Sequence, residues 1–271
     1  MSYPAYSALL NVCKTDTPQW LSIALDSILN QTIKPSEIVL VQNGPLSDDL
    51  KAKINLYKEE YPHLFMIKLL PYHMGLGSVI LQGATECTNG FIAYMDADGY
   101  SAPTRIEEEF NVLLANRAGF VGTNINEFAD SIDNVTNYRT YPEMSEEIFK
   151  FAKRKIPMAL SSALFKKKKL IDSCNFEDCR IAEDYALIIN LLSFCVKGYN
   201  IQKPLVYKRH RKDNSKPLDG KEYVEAMRDF NMKFFKKGWF RRRDYFLRST
   251  VNEVAFMMPR FVKEFVYEKM L

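Results

Sequence analysis

Two carboxylates separated by one residue carry the clearest chemistry in the sequence. Asp96 and Asp98 flank Ala97 directly after residues 91–95, an apolar run typical of a buried strand. Alternate side chains of an extended segment point the same way, so both carboxylates are expected to face one ligand. Hard divalent cations prefer such oxygens, and Mg²⁺ or Mn²⁺ bridged to a diphosphate is the expected occupant. The alternative is an acidic turn that caps the next helix.

A second acidic pair, Glu183 and Asp184, opens the apolar residues 185–194, which are expected to form a helix. Acids at a helix start interact favourably with the helix dipole, so capping alone would explain the pair. The functional alternative is a general base. A carboxylate near a metal-bound diphosphate can take the proton from an attacking hydroxyl group.

The elements ahead of the first motif alternate between strands and helices. Predicted strands lie at residues 6–12, 37–42, 65–70 and 91–95, and predicted helices begin near residues 18, 48 and 75. Continuous apolar strands that alternate with helices predict an α/β fold with a mostly parallel sheet covered on both faces. Ligands of such sheets bind beyond the carboxyl ends of the strands, where Asp96 stands.

The second half of the chain gives weaker signals. Helices are predicted at residues 105–115, 145–154 and 184–194, and strands at 119–123, 159–165 and 205–209. The polar residues 124–141 receive no assignment. The four consecutive lysines at 166–169 predict a solvated turn, and we assign them no role.

Composition excludes several classes of protein. The 271 residues are 47% hydrophobic and 26% charged, as in ordinary globular proteins, and the formal net charge of +4 does not indicate a nucleic-acid binder. The five cysteines are odd in number and form no C-x-x-C pair, which favours reduced thiols over disulfides or zinc. Neither a signal-peptide pattern nor a membrane-spanning apolar stretch is visible, so a cytoplasmic location is expected.

Residues 223–271 differ from the rest and predict a helical extension. Within them, residues 231–243 hold six basic and four aromatic side chains and no acid, and an apolar stripe from Leu247 to Phe265 predicts a helix kinked at Pro259. The extension either packs on the preceding domain or attaches to a membrane surface, because basic and aromatic residues together suit anionic headgroups. Single-stranded nucleic acid is disfavoured, since no known module accompanies the segment.

Five blocks, in order over about residues 5–210, resemble family 2 glycosyltransferases. They are residues 7–43, Gly75-Leu76-Gly77, Met95-Asp96-Ala97-Asp98, Pro103 with Arg105, and Glu183-Asp184-Tyr185. The likeness is to the bacterial branch, including amylovoran-type transferases, that builds capsule, exopolysaccharide and O-antigen units. It implies a GT-A fold over residues 1–222, with a nucleotide-sugar half (about 1–105) and an acceptor half (about 106–222).

The same resemblance implies the reaction and its partners. An inverting, metal-dependent transferase would move a sugar from a nucleotide diphosphate sugar, commonly a UDP-sugar, to an undecaprenyl-diphosphate-linked saccharide. Such an enzyme would work in the cytoplasm, peripherally on the inner face of the cytoplasmic membrane, and would need Mn²⁺ or Mg²⁺. Nucleic acid is not an expected partner.

The resemblance also assigns residues to roles. Asp98 would bind the metal, Asp96 the ribose or the metal through water, and Asp184, with Glu183 beside it, would be the catalytic base. The nucleotide pocket would be lined by Val12, Lys14, Asn43, Gly75, Gly77, Asp96 and Ala97. Arg209, His210 and Arg211 form a basic group that could neutralise the departing diphosphate or could be an exposed loop.

Three departures from the family pattern affect these expectations. Gln42-Asn43-Gly44 lacks the usual carboxylate after the second strand, which bears on the choice of nucleotide. Gly99 replaces a frequent third acid of the metal motif, and the apolar residues 156–160 replace a polar stretch, which indicates an altered acceptor.

Two rival functions follow from these features. A nucleotidyltransferase also uses paired acids, but it typically begins with a Gly-rich phosphate loop, and residues 12–18 contain none. A non-catalytic pseudo-transferase that binds a glycan or a partner enzyme is conceivable because of Asn43 and Gly99. The retained Asp96, Asp98 and Asp184 argue against it.

Overall fold

The first half of the chain alternates strands with helices, and the four predicted strands are confirmed. The computed structural model describes residues 3–173, 179, 181–210 and 221–257. The first strands are β1 (Ser7–Cys13), β2 (Glu37–Asn43), β3 (Phe65–Leu70), β4 (Phe91–Asp96) and β5 (Tyr100–Ser101), and the first helices are α1 (Pro18–Leu29), α2 (Asp48–Glu60), α3 (Leu76–Glu86) and α4 (Arg105–Ala115). The two-residue β5 gives no signal in the sequence because its length is below any period.

The second half departs further from the prediction. Its elements are β6 (Phe120–Phe128), β7 (Val135–Arg139), α5 (Ser145–Phe151), a 3-10 turn (Leu160–Ser162), β8 (Leu164–Lys166), α6 (Lys167–Ser173), α7 (Glu183–Ser193), β9 (Gly198–Arg209), α8 (Lys221–Lys236) and α9 (Arg242–Met257). β6 and β9 are longer than predicted, and β7 lies in the unassigned polar stretch. The predicted lysine turn is wrong, because Lys166 pairs with Phe91 in the sheet and the next three lysines begin α6.

The sheet is parallel at one side and mixed at the other. The strand order is β3-β2-β1-β4-β8-β6-β9-β5, with β7 paired to β6. β1 to β4 are mutually parallel, β8 lies antiparallel between β4 and β6, and β9 is parallel to β6. Although β5 follows β4 closely in sequence, it pairs with β9 at the far end, Tyr100 opposite Tyr207. The sheet therefore curls, and this brings the end of β9 next to the end of β4.

Of three helices that begin near the carboxyl ends of strands, α1 has a local side-chain cap and α3 and α7 have none. Thr17 accepts a hydrogen bond from the Trp20 backbone N–H at 3.2 Å, and Pro18 is the first helical residue of α1, as the sequence predicts. α3 follows Gly75, which has no capping side chain, and α7 follows Ala182, whose φ is +53°. Neither α3 nor α7 therefore has a capping side chain at its own N-cap residue.

Two hydrophobic layers cover the two faces of the sheet. On one face, α1, α2 and α4 pack through Leu21, Leu50 and Phe110. On the other face, α3, α6 and α7 pack through residues such as Val79 and Leu187. Burial on both faces explains why β1, β2 and β4 are mostly apolar, whereas the edge strand β3 contains Lys68 and leaves Leu69 66% exposed.

The C-terminal helices α8 and α9 pack against the second of these layers. Phe230, Phe234, Trp239 and Phe240 are all buried in the same cluster as the residues of β1, β2 and α7. These aromatic side chains are therefore unavailable to a membrane, and the packing interpretation holds for this part of the extension. Pro259 and the end of the predicted stripe lie outside the described residues. No helix within the described ranges is both long and apolar enough to cross a bilayer.

A buried ion pair on α4 contacts the backbone of β4. Arg105 and Glu109 on α4 are both almost fully buried, and the Arg105 Nε lies 2.8 Å from the Glu109 Oε1. The Arg105 guanidinium also donates to the Tyr94 carbonyl oxygen at 3.0 Å, two residues before Asp96. Burial raises the pKa of Glu109 to about 7, although the charge of Arg105 opposes the shift.

This raised pKa makes folding stability depend on pH. The folded protein holds the Glu109 proton more tightly than the unfolded chain, so the stabilisation is present below the ordinary pKa and is lost as the pH rises through 7. We expect the unfolding free energy of the native chain, relative to Glu109→Gln, to fall on the order of 3 kcal/mol between pH 4.5 and 7.5. Urea unfolding at several pH values measures it, and a constant difference would contradict the assignment.

Candidate active site

A cleft of about 280 Å³ opens beside the carboxyl end of β4. It is reached by elements that are distant in sequence: the end of β4, the middle of β6, the start of α7, the end of β9 and the segment before the 3-10 turn. The polar side chains that line it are Tyr94, Asp96, Glu127, Arg139, Tyr141, Ser161, Asp184, Lys208, Arg209 and His210. The curl of the sheet is what assembles this set.

The two carboxylates of the first motif reach the site in different ways. Asp96 is the last residue of β4, and its Oδ1 accepts a hydrogen bond from the Tyr94 hydroxyl at 2.9 Å. Asp98 lies in the turn that follows, where the Gly99 N–H donates to the Asp96 carbonyl at 3.3 Å, and it is 7% exposed. The strand alternation expected from the sequence therefore stops at Asp96. The turn, and not the pleat, keeps Asp98 near the site.

The shared electrostatics of neighbouring groups show that the acids lie close together. Burial raises the pKa of Tyr94, and the negative charges of Asp96, Asp98 and Asp16 raise it further. Asp16, three residues beyond the end of β1, also accepts a hydrogen bond from the Cys13 N–H at 2.8 Å. Sequence reasoning missed Asp16, although its position just beyond a parallel strand was a usable signal.

Lys208 is the second group that sequence reasoning missed. Burial lowers the pKa of its ammonium, but the carboxylates of Asp96 and Asp184 outweigh that effect, with further contributions from Tyr141 and Asp98, so the pKa ends above its ordinary value. Lys208 is therefore a fixed positive charge among the acids. The pairing of β5 with β9 is responsible, and it depends on a contact that no local pattern reveals.

Asp184 lies in the first turn of α7 and lines the cleft. Its Oδ1 accepts a hydrogen bond from the Tyr185 N–H at 2.8 Å. Burial raises the pKa of Asp184, while the positive charge of Lys208 opposes the shift. A carboxylate with a raised pKa beside a cleft has the properties of a general base.

Glu183 has different contacts from its neighbour. Its Oε2 accepts a hydrogen bond from the Gly77 N–H at 2.7 Å, so it caps α3, which begins without a capping side chain. A side chain at Gly75 would collide with the Glu183 carboxylate. The sequence places both acids in catalysis, whereas the structure gives Glu183 the contacts of a helix cap between two site segments.

Asn43 holds the loop that leads to this cap. Its Nδ2 donates to the Met74 carbonyl at 2.9 Å, and its Oδ1 accepts from the Met74 N–H at 2.7 Å. The side chain is 3% exposed, so it positions the loop before α3. An aspartate here could not donate to the carbonyl, which gives a physical reason for the departure from the family pattern.

The remaining predicted residues occupy several environments. Val12 and Ala97 are buried, and Lys14 is exposed just beyond β1. The Arg209 guanidinium stacks on Trp20 and Phe128, with centroid distances of 4.7 and 4.5 Å, and donates to the Ala129 carbonyl. The exposed His210 lines the cleft with Arg209, while Arg211 lies outside the described residues.

Gly99 packs against the backbone of β9. A Cβ at this position would lie 3.2 Å from the Tyr207 carbonyl oxygen, a contact that only a small backbone shift could relieve. The third acid that relatives frequently carry would therefore require the turn or β9 to shift by a few tenths of an ångström. One face of the cleft is apolar, formed by Ile156, Met158, Ala159 and Leu160.

Helix α7 is supported by the C-terminal extension. The Tyr185 hydroxyl donates to the Ala152 carbonyl at 2.7 Å, and Arg248 of α9 donates to the Tyr185 oxygen at 3.2 Å. The Tyr185 ring also stacks on Phe230 of α8 at 5.4 Å. The residue next to Asp184 is therefore held in place by both α8 and α9.

The acids suit a divalent cation that shares a substrate. Among the described residues, no group of three or more Asp, Glu, His or Cys side chains has the spacing of a complete metal site. Asp96 and Asp98 could supply one or two carboxylate ligands. Mg²⁺ is usually held in this way, with substrate phosphates and water completing its shell.

Acids at the carboxyl end of parallel strands, beside a sheet that mixes direction in its second half, are the arrangement of an α/β fold of the GT-A type. The family model "Glycosyl transferase family 2" matches residues 11–174, more than half of the chain. The chain therefore belongs to glycosyl transferase family 2 and is a glycosyltransferase.

Similar proteins agree with this assignment. The amylovoran biosynthesis glycosyltransferase AmsE of Erwinia amylovora is 28% identical over 97% of this chain and 98% of its own length. An Escherichia coli UDP-Gal:alpha-D-GlcNAc-diphosphoundecaprenol beta-1,3-galactosyltransferase is 23% identical over 99% and 97%. The crystal structure of S. aureus TarS 1-349 in complex with UDP-GlcNAc matches with a TM-score of 0.65 at 15% identity, covering 85% of this chain and 66% of that one, and it supports the fold alone.

Proposed function

We propose that this glycosyltransferase moves a sugar, with inversion, from a UDP-sugar to a saccharide linked through diphosphate to undecaprenol, in the assembly of a surface polysaccharide. The observation that carries the proposal is the placement of Asp184, Lys208 and Asp96 in one cleft at the carboxyl end of β4. The similarity to the E. coli UDP-Gal:alpha-D-GlcNAc-diphosphoundecaprenol beta-1,3-galactosyltransferase supports the donor and acceptor classes. The similarity to the amylovoran biosynthesis glycosyltransferase supports a role in polysaccharide assembly.

Asp184 is the proposed base of the reaction. It takes the proton of the acceptor hydroxyl as the hydroxyl oxygen attacks the anomeric carbon from the face opposite the diphosphate. The bond between that carbon and the diphosphate oxygen breaks, and the nucleotide diphosphate leaves with both electrons. Attack from the opposite face inverts the configuration.

In this proposal the donor binds between Asp184 and the acids at the end of β4. Asp98, with Asp96, would hold Mn²⁺ or Mg²⁺, which stabilises the charge of the leaving diphosphate when it is bound. Lys208 adds a second positive charge, from the protein, next to the same acids. The segment from Gly75 to Gly77, positioned by Asn43 and Glu183, borders the nucleotide, and Val12, Lys14, Ala97, Arg209 and His210 remain its predicted neighbours.

The catalytic domain is proposed to span residues 1–222 and to act at the inner face of the cytoplasmic membrane. Phe246 and Leu247 of α9 are 66% and 56% exposed, and Arg242 and Arg243 are exposed at the start of the same helix. Basic residues beside exposed apolar ones support peripheral attachment. The aromatic residues buried under α8 take no part in it.

Donor binding tests the proposed function directly. Calorimetry with UDP-, GDP- and dTDP-sugars, with and without Mn²⁺, should show tight binding of one nucleotide class that requires the metal. Asp98→Ala should weaken that binding by about a hundredfold, since a buried charged ligand contributes roughly 2–3 kcal/mol. Absence of binding by every donor to the folded native chain would favour the pseudo-transferase instead.

A further inference from the structure

A second, larger cavity lies between α5 and the turn that joins α8 to α9. Its volume is about 1150 Å³, and it is separate from the cleft of the active site. Five basic side chains line it against two acidic ones: Lys150, Lys153, Arg154, Arg241 and Arg243 against Glu147 and Asp244. We call this cavity the basic groove. Its charge indicates an anionic ligand.

The buried Trp239 and the half-buried Lys153 indicate where such a ligand would bind in the basic groove. Trp239 is 5% exposed, and its indole N–H has no acceptor among the described residues. Lys153 donates to the Trp239 carbonyl at 2.6 Å and lies over the Trp239 and Phe149 rings, with centroid distances of 3.4 and 4.6 Å. Native proteins rarely leave such a donor unpaired, so an oxygen atom from outside the chain is its expected partner. The five basic side chains around it favour an oxygen of an anion.

The two acids of the groove offset only part of this charge and leave an excess of three basic side chains. The Asp244 carboxylate accepts a hydrogen bond from the Arg241 N–H at 3.2 Å, which commits it to the start of α9. Glu147 accepts from the Met144 N–H at 3.4 Å at the start of α5. The first turn of α9 borders the groove, and a helix start favours phosphate groups.

The groove and the active site share one chain segment. Arg154 lines the basic groove, and Ile156, two residues later, lines the apolar face of the cleft. The Arg154 carbonyl also accepts from Arg248, which donates in turn to the Tyr185 hydroxyl beside Asp184. The basic groove and the cleft are therefore neighbours along residues 154–156.

We propose that the basic groove binds the diphosphate of the lipid-linked acceptor, while the acceptor sugar extends along residues 154–158 into the cleft. This inference rests on the proposed function for its acceptor class. The groove itself is defined by its own charge and its unpaired indole. Lys153, Arg154, Arg241 and Arg243 contact the phosphate oxygens, and Trp239 donates to one of them.

A charge-matched pair of variants tests the groove. Arg241→Gln/Arg243→Gln removes two exposed basic groups that line it, and the control Lys236→Gln/Arg242→Gln removes the same charge from exposed neighbours that do not. Inorganic pyrophosphate is the first probe, with a chelator present, and Trp239 fluorescence in a Trp20→Phe background reports binding. We expect the dissociation constant to rise by at least about tenfold in the first variant and by less than about twofold in the control.

Kinetics provides the second measurement, in the native tryptophan background. N-acetylglucosamine linked through diphosphate to a short alkyl chain is the acceptor probe. The groove variant should raise its KM by about tenfold or more, while hydrolysis of the UDP-sugar without acceptor stays unchanged. Free pyrophosphate should compete with this acceptor.

The outcomes separate the groove from the proposed function. Equal pyrophosphate binding by the native chain and the groove variant would overturn the groove. So would loss of binding to phosphatidylglycerol vesicles without any change in pyrophosphate affinity or acceptor KM, because the groove would then bind a membrane headgroup. Specific pyrophosphate binding by a chain that neither hydrolyses nor transfers any sugar would refute the proposed transfer and leave an anion site.

Discussion

Asp184→Asn should lower the rate of sugar transfer by about a thousandfold, in the range of 10²- to 10⁴-fold that a general base contributes. The substitution keeps the size of the side chain and its acceptor oxygen for the Tyr185 N–H, so α7 should begin where it does now. It removes the group that can take the proton of the acceptor hydroxyl. Initial rates at saturating donor and acceptor measure the effect, and donor affinity should stay within about threefold.

The neighbouring acid provides a matched control. Glu183→Gln keeps an oxygen that can accept from the Gly77 N–H, so the cap of α3 survives and transfer should fall by less than about tenfold. The roles would have to be exchanged if Glu183→Gln abolished transfer and Asp184→Asn did not. Small effects of equal size in both variants would show that the catalytic base does not lie on α7.

Lys208→Met should separate metal affinity from turnover. The ammonium lies among Asp96, Asp184 and Asp98, so its removal leaves a more negative site. We expect Mn²⁺ to bind the donor-free chain several-fold more tightly, because like-charge repulsion is lost. Transfer should nevertheless fall by about a hundredfold, since the positive charge proposed to stabilise the leaving diphosphate is also lost.

Opposite signs for the two effects are the specific mark of Lys208. Lys203→Met is the control, because Lys203 lies on the same strand, pairs with Glu108 at the surface and is 66% exposed in its side chain. It should change neither quantity by more than about twofold. Calorimetric titration of Mn²⁺ and initial-rate measurements decide, and a fall in both metal affinity and rate would contradict the electrostatic account.

The sequence predicts the parallel half of the fold because its strands are mostly apolar runs that alternate with helices. Residues 6–12, 37–42, 65–70 and 91–95 all correspond to strands, within one or two residues. The turn that carries Asp98, the short β5 and the lengths of β6 and β9 depend on pairing between distant segments. No local period encodes such pairing.

The candidate site divides in the same way. Asp96 and Asp184 stand out because they adjoin recognisable elements, and both line the cleft. Lys208 adjoins the basic residues 209–211 in the sequence, but it reaches the acids only because β5 returns to pair with β9. Asn43 and Glu183 show the converse: their motifs are visible in the sequence, but their hydrogen-bond partners at Met74 and Gly77 are visible only in the fold.

The hydrogen bond between Glu183 and Gly77 spans 106 positions of the chain, and the very next residue after Glu183 is Asp184. This one hydrogen bond between a backbone N–H and a side-chain carboxylate thus fixes the distance between the segment proposed to hold the donor and the proposed base. The spacing of these two parts is set before either substrate arrives. Substitutions elsewhere around the cleft can therefore change which sugars are accepted. The distance between the donor segment and the base stays the same, because the Glu183–Gly77 hydrogen bond sets it.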